Sequence, residues 1–324
     1  MKRMLCAMLC LACIFALAPA RAATTSLDEQ MAEFMAQNAL DAENFALCYI
    51  DTVTGESYSY NEDAFFPVGR VWILPLHMYY YEREARGDYE PEYDEDGYLE
   101  EEFTIGGLTL EECRYRSIIG GDEKVSAGMR NTLGNFAQYK QLVNDTYGGY
   151  DSDLLPDEYF TSNAYNAKML ITALNYLNVR PEFFGGLTAN LRMVQKDDGI
   201  AGYSGGYSLV HLRGEEEGVI CDLGAVDAQR PYLLACFVKA EKGDEILAQV
   251  NDLLCTYNEE NEPEQGHNEP LPAPIVLPSE EELPIVQDSP KTPDGTSPAL
   301  LWGGLALTCV AGGTALLLRR KRRR

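Results

Sequence analysis

Residues 44–76 constrain the fold of this chain more than any other stretch. Phe45–Asp51 alternates and packs apolar residues as a strand does, Thr54-Gly55-Glu56 is a turn, and Glu56–Tyr60 reads as a second strand. After Phe66-Pro67-Val68-Gly69, the mostly apolar Val71–Arg86 reads as a buried helix whose Pro75 is tolerable only in its first turn or so. A hairpin feeding sharply into a buried helix needs a sheet on one side of that helix and further helices on the other.

The remainder supplies both. Ser26–Asn38 carries Leu27, Met31, Phe34 and Met35 on one helical stripe behind an N-capping Ser26. Leu108–Ile119, Lys124–Leu133 and Asn163–Leu177 read as helices, and Asp88–Glu102 as an acidic solvated loop. Tyr207–Arg213, Gly218–Val226 and Pro231–Lys239 read as three strands, joined by turns at Gly214-Glu215-Glu216-Glu217 and Asp227-Ala228-Gln229-Arg230. Lys242–Thr256 closes the domain as an amphipathic helix. The expected class is α+β, with a mostly antiparallel sheet flanked by helices.

The flanks set the expected location. Lys2 and Arg3 precede an apolar run to Ala18, and Ala20-Arg21-Ala22 offers a cleavage site, so residues 1–22 read as a secretory signal peptide. Residues 23–257 form the domain, and Asn258–Pro298, rich in Pro, Glu and Asn, reads as a disordered stalk. Ala299–Leu318 is 20 residues without a charge, long enough to span a bilayer as a transmembrane helix, and the basic residues 319–324 hold that end in the cytoplasm. The expectation is a single-pass protein of the cell membrane with its N-terminal domain extracellular.

Formal net charge is −25, and removing the signal and tail leaves 17 basic against 51 acidic residues. Such a surface repels nucleic acid, which is excluded as a partner. No metal-ligand spacing occurs, and no cofactor or metal is expected. Five cysteines belong to the domain: Cys48, Cys113, Cys221, Cys236 and Cys255. If Val226 and Pro231 flank a four-residue connection, Cys221 faces Cys236 at a separation suited to a disulfide. The alternative is two small apolar residues on one sheet face.

The run Pro67-Val68-Gly69-Arg70-Val71-Trp72-Ile73-Leu74-Pro75 resembles the start of the nucleophile helix in the class A β-lactamase and penicillin-interacting serine hydrolase family, a Pro-x-x-Ser-x-x-Lys-Leu-Pro pattern. The resemblance covers about residues 26–257 and implies a β-lactamase/transpeptidase-like domain. It places Arg70 at the nucleophilic Ser and Ile73 at the activating Lys. An arginine has no nucleophilic oxygen, and isoleucine moves no proton. The family's Ser-Asp-Asn turn falls on Gly121-Asp122-Glu123, where Asp122 keeps a role in capping backbone N–H groups. Its Lys-Thr-Gly strand falls on Leu212-Arg213-Gly214 after His211, with Tyr203-Ser204-Gly205 as a competing placement. Asp151, Asp153, Asp157 and Glu158 lie where a water-activating acidic loop would be, without its pattern.

No residue is therefore assigned a catalytic role. Ser117, Ser126 and Ser204 are substitute nucleophiles by residue type alone, with Lys124 or His211 as bases, and read more simply as surface or turn serines. Arg70, a cation at the mouth of a partly buried cleft, is expected to pair with Glu123 first and Asp122 second. The functional expectation is a catalytically inactive β-lactamase-like surface protein of a Gram-positive cell envelope, binding cell-wall fragments or another envelope protein. The alternative is a serine hydrolase acting on β-lactams or peptidoglycan peptides. Ser289-Pro290-Lys291-Thr292-Pro293-Asp294 resembles a variant sortase signal with Pro293 where Gly is usual, so anchoring through the span is expected over cell-wall attachment.

Overall fold

The computed structural model describes residues 25–261 apart from 96, 98, 195–197 and 204. The expected signal peptide, all but the first residues of the stalk, the membrane span, the basic tail and the sortase-like segment lie outside the described residues. Among the described residues no helix is long and apolar enough to cross a membrane.

A five-stranded antiparallel sheet organises the domain. Strands β1 (Phe45–Asp51), β2 (Ser57–Tyr60), β3 (Ser208–Glu216), β4 (Val219–Asp227) and β5 (Tyr232–Val238) lie in the order β2-β1-β5-β4-β3. The N-terminal hairpin thus docks on the C-terminal meander through β1 and β5. Both central strands are buried along nearly their whole length, which requires cover on two faces.

Helices supply that cover. On one face pack α1 (Leu27–Gln37), held at its start by a Ser26/Glu29 capping box, and the closing helix that becomes α9 below. On the other lie α2 (Ile73–Ala85), α3 (Leu110–Arg114), α4 (Glu123–Thr132), α5 (Phe136–Val143), α6 (Asp157–Thr161), α7 (Ala167–Asn178) and α8 (Pro181–Met193). The closing helix α9 (Gly243–Glu260) runs past the expected boundary at Tyr257, because buried Asn258 accepts a hydrogen bond from the Tyr49 hydroxyl at 3.1 Å. The acidic stretch 88–102 holds a small hairpin, Glu92–Tyr93 with Leu99–Glu101.

Two expectations about the meander need correction. The turn between β3 and β4 is the two-residue Glu217-Gly218, with φ of 53° and 77°, so β3 continues through Gly214 to Glu216. Tandem left-handed residues suit a tight hairpin. Between β4 and β5 the connection is one residue longer than expected. Pro231 has no N–H for the ladder, and its carbonyl instead accepts from the Thr52 amide at 2.9 Å and hydroxyl at 2.7 Å.

That single residue decides the cysteines. Asp222 stands opposite Cys236 and Cys221 opposite Phe237. A one-residue shift turns a side chain to the other face, so Cys221 packs against the helical layer and Cys236 against α1 and α9. The expected facing pair is overturned, and all five domain cysteines are free and buried. Thiol alkylation of the folded protein should therefore label none of these five under non-reducing conditions and all five after denaturation, read by peptide mass spectrometry.

Candidate functional site

The entry into α2 is held from three directions. Phe66–Pro67 pairs with Ala164–Tyr165, and the Val68 amide donates to the Asn163 carbonyl. Gly69 takes φ of 55°, a conformation glycine adopts without strain. The Asn163 amide group donates to the Gly69 carbonyl at 2.9 Å and to the Glu216 carboxylate at 2.6 Å, and that carboxylate also accepts from the Gly69 amide at 3.2 Å. Gly69–Trp72 then makes one 3₁₀ turn before α2 begins.

This clamp places Arg70 in a cleft of about 610 Å³ between the helical layer and the edge strand β3. Arg70, Ile73, Gly121, Glu123, Leu212, Arg213 and Gly214 all line it. Asp122 is absent from the lining. Three segments far apart in the chain are thus brought together in one cleft. Gly214 packs against the Val68 carbonyl and the Arg70 amide. The competing Tyr203 lies instead against α9, its carbonyl accepting from Asn251 at 2.6 Å, and Ser204 lies outside the described residues.

Arg70 does not pair with Glu123 or Asp122. Its Nη2 donates to the Ile118 carbonyl at 2.7 Å and to Ser117 O at 3.4 Å. Residues 115–119 form a π-type turn continuing α3, and the last carbonyls of a helix are both unpaired and negative. Those carbonyls take the guanidinium that a carboxylate was expected to take. Burial alone lowers the Arg70 pKa. Asp122 instead pairs with Arg116 at 2.6 Å and caps α4 by accepting from the Lys124 and Val125 amides.

On β3, Leu212 is buried against the helical layer, and alternation turns Arg213 to the opposite face. There it forms a bidentate pair with Asp244 of α9, at 2.6 and 2.8 Å, and reaches Glu215 at 3.1 Å. His211 is held by buried Asp222 at 3.0 Å, and Asp222 also accepts from the Ile200 amide. Of the acidic-loop residues, none lines the cleft; Asp151 caps a 3₁₀ turn and Asp157 and Glu158 open α6.

Ser117 and Ser126 are not surface serines: both are buried at the cleft wall. His77 Nε2 lies 2.8 Å from Ser117 Oγ, Ser117 Oγ 2.7 Å from Ser126 Oγ, and Ser126 Oγ donates to the Asp122 carbonyl at 3.0 Å. A carbonyl can only accept, so the pattern satisfying every hydroxyl runs from His77 Nε2–H through Ser117 and Ser126 to Asp122 O. His77 then presents a donor to Ser117, and its lone-pair nitrogen Nδ1 is buried without a hydrogen-bond partner. Burial, reinforced by Arg114 and Arg70, pushes the His77 pKa down to about 3, keeping the ring neutral. A general base must accept the nucleophile's proton, and this chain points the other way.

Sequence reasoning missed His77, Asn163, Glu216 and Asp222. Only His77 left a signal, one turn after Ile73 on the same helix.

No protein-family model and no curated protein matches the chain. Solved structures do match. One is PBP-A, at 18% identity and a TM-score of 0.56, covering 72% of this chain and 97% of that one. The L158E mutant of PBP-A, in an acyl-enzyme complex with penicillin G, is 19% identical with a TM-score of 0.56, covering 72% and 98%. The class A β-lactamase of the last common ancestor of Gram-negative bacteria is 17% identical with a TM-score of 0.55, covering 72% and 99%. With a helix-covered antiparallel sheet and a cleft at the start of α2, the domain has the class A β-lactamase and penicillin-interacting serine hydrolase fold.

Proposed function

We propose that this protein is a non-catalytic member of that fold, held outside the cell membrane by its C-terminal segment, whose cleft binds cell-wall fragments or another envelope protein. Arg70 carries the reading. On the resemblance it stands at the nucleophile's position, with Ile73 at that of the proton-moving lysine, and it is fastened to the Ile118 carbonyl. Loss of a nucleophile in this kind of site leaves only the rate enhancement of oriented donors. The alternative, a hydrolase using Ser117 or Ser126, is disfavoured by the direction of the His77 hydrogen-bond chain.

The test is nitrocefin turnover and labelling with a fluorescent penicillin, using the full-length protein in detergent beside an active class A enzyme. No turnover and no covalent adduct are expected. R70S is expected to stay unlabelled, because Ile73 and Gly121 still supply neither base nor proton shuttle. A penicillin adduct mapped to Ser117 or Ser126 overturns the reading. Recovery of mature protein from peptidoglycan, ending at Thr292, overturns the membrane anchoring.

A further inference from the structure

Two opposite charges face the same cleft without answering each other. Among the described residues Arg70 has no carboxylate partner: its hydrogen bonds there go to backbone carbonyls, through Nη2. Glu123, which lines the same cleft from the first turn of α4, is exposed and forms no ion pair or side-chain hydrogen bond among the described residues. Of the other charges lining the cleft, Asp198, like Glu123, has no side-chain hydrogen bond or ion pair among the described residues, and the rest are engaged. Glu216 serves Asn163 and Gly69, and Arg213 serves Asp244 and Glu215.

A half-buried guanidinium with no counter-ion among the described residues is costly, and the remaining face of its fork matches a carboxylate. A simple anion, however, has to enter a cavity also lined by Glu123, Asp198, Glu215 and Glu216, on a chain of net charge −25. A ligand bearing both signs meets neither objection. We infer, resting on the non-catalytic reading above, that the cleft recognises a small zwitterion, its carboxylate on Arg70 and its ammonium toward Glu123. The site thereby uses the nucleophile's position as an ionic anchor.

Trp72 lines the cleft and reports occupancy. The full-length protein carrying W302F, which removes the other tryptophan, is titrated by fluorescence with glycylglycine, N-acetylglycine and glycinamide. The first carries both charges and the others one each. Glycylglycine is expected to bind at least tenfold more tightly than either, since a charge-assisted hydrogen bond contributes about 1.5–3 kcal/mol and 1.4 kcal/mol is tenfold. R70Q and E123Q should each weaken glycylglycine about tenfold, on the same basis. Glu123 is exposed, so E123Q should fold normally; circular dichroism checks R70Q. No saturable response to glycylglycine, equal binding of N-acetylglycine, or indifference to E123Q each overturns the inference. The two readings fail separately: penicillin labelling removes the non-catalytic one, whereas charge-blind binding removes only this one.

Discussion

Replacing Gly214 by alanine is expected to unfold the domain or to lower its stability by more than about 4 kcal/mol, the range of exceptional substitutions. A methyl group at 214 would press into the Val68 carbonyl and lie 2.8 Å from the Arg70 amide and 3.1 Å from the Val71 amide. All three are backbone atoms in a segment already clamped by Asn163 and Glu216, so none can yield like the end of a flexible side chain. The strain therefore falls on β3 or on the entry to α2, the two walls that define the cleft. Gly128 is the control. A methyl there finds only Ile105 Cγ2 at 3.9 Å, an ordinary contact inside α4. G128A should stabilise by about 0.5–1 kcal/mol, the usual gain from removing glycine within a helix. Urea unfolding of both variants measures the contrast, and a G214A midpoint within error of the parent would contradict the packing described here.

The placement of Gly214 also shows what was legible in the chain. The hairpin, the helix after Gly69 and the three motif segments could be read because each is local: alternation, a turn and an apolar run. Their meeting in one cleft followed from the resemblance, not from any local pattern. What could not be read depends on single residues or on distant partners. The β4–β5 register turned on whether Pro231 joins the ladder, and one residue moved Cys221 and Cys236 to opposite faces. The partner of Arg70 turned on the π-type end of the helical stretch from Leu110, which presents carbonyls no sequence pattern announces. Three helices, α5, α6 and α8, went unread, and for α5 and α8 the reason is simpler. Pro181 and Gly185-Gly186 look like helix breakers, yet Pro181 is the first residue of α8, where its missing N–H costs nothing. In α5 the Asn135/Gln138 capping box was the signal, set between a glycine turn and a polar surface.

Stability should rise with pH between about 6 and 8, and Lys140 is the main cause. Its side chain is fully buried, with Nζ donating to the Ala164 carbonyl at 2.7 Å. The amine lies 3.3 Å from the Tyr165 ring centre and 3.9 Å from that of Tyr159. Ring faces and a carbonyl favour the ammonium, but no carboxylate answers it among the described residues, and burial pushes the Lys140 pKa down to about 6. The unfolded chain holds that proton up to about 10.5, so between about 6 and 10.5 it binds more protons than the folded one. Stability then climbs with a slope approaching about 1.4 kcal/mol per pH unit for this one group. Buried His77, pushed down to about 3, extends the same sign from about 6.5 down to 3, so acid is destabilising through both bases. Above about pH 8 the sign reverses, because burial holds the thiols of Cys48, Cys113, Cys221, Cys236 and Cys255 protonated in the fold while unfolded thiols ionise, and above about pH 10 tyrosines such as Tyr139 and Tyr165 add to the same sign. K140M keeps the volume and removes the titration. It should flatten the rise between pH 6 and 8 and exceed the parent most at pH 6, as replacement of an unpaired buried charge by an apolar group predicts. Its residual cost is one undonated carbonyl at Ala164, so the two curves should approach or cross toward pH 9. Denaturant unfolding of both proteins at intervals across that range decides the matter, and parallel curves would show that Lys140 does not lose its proton in the fold.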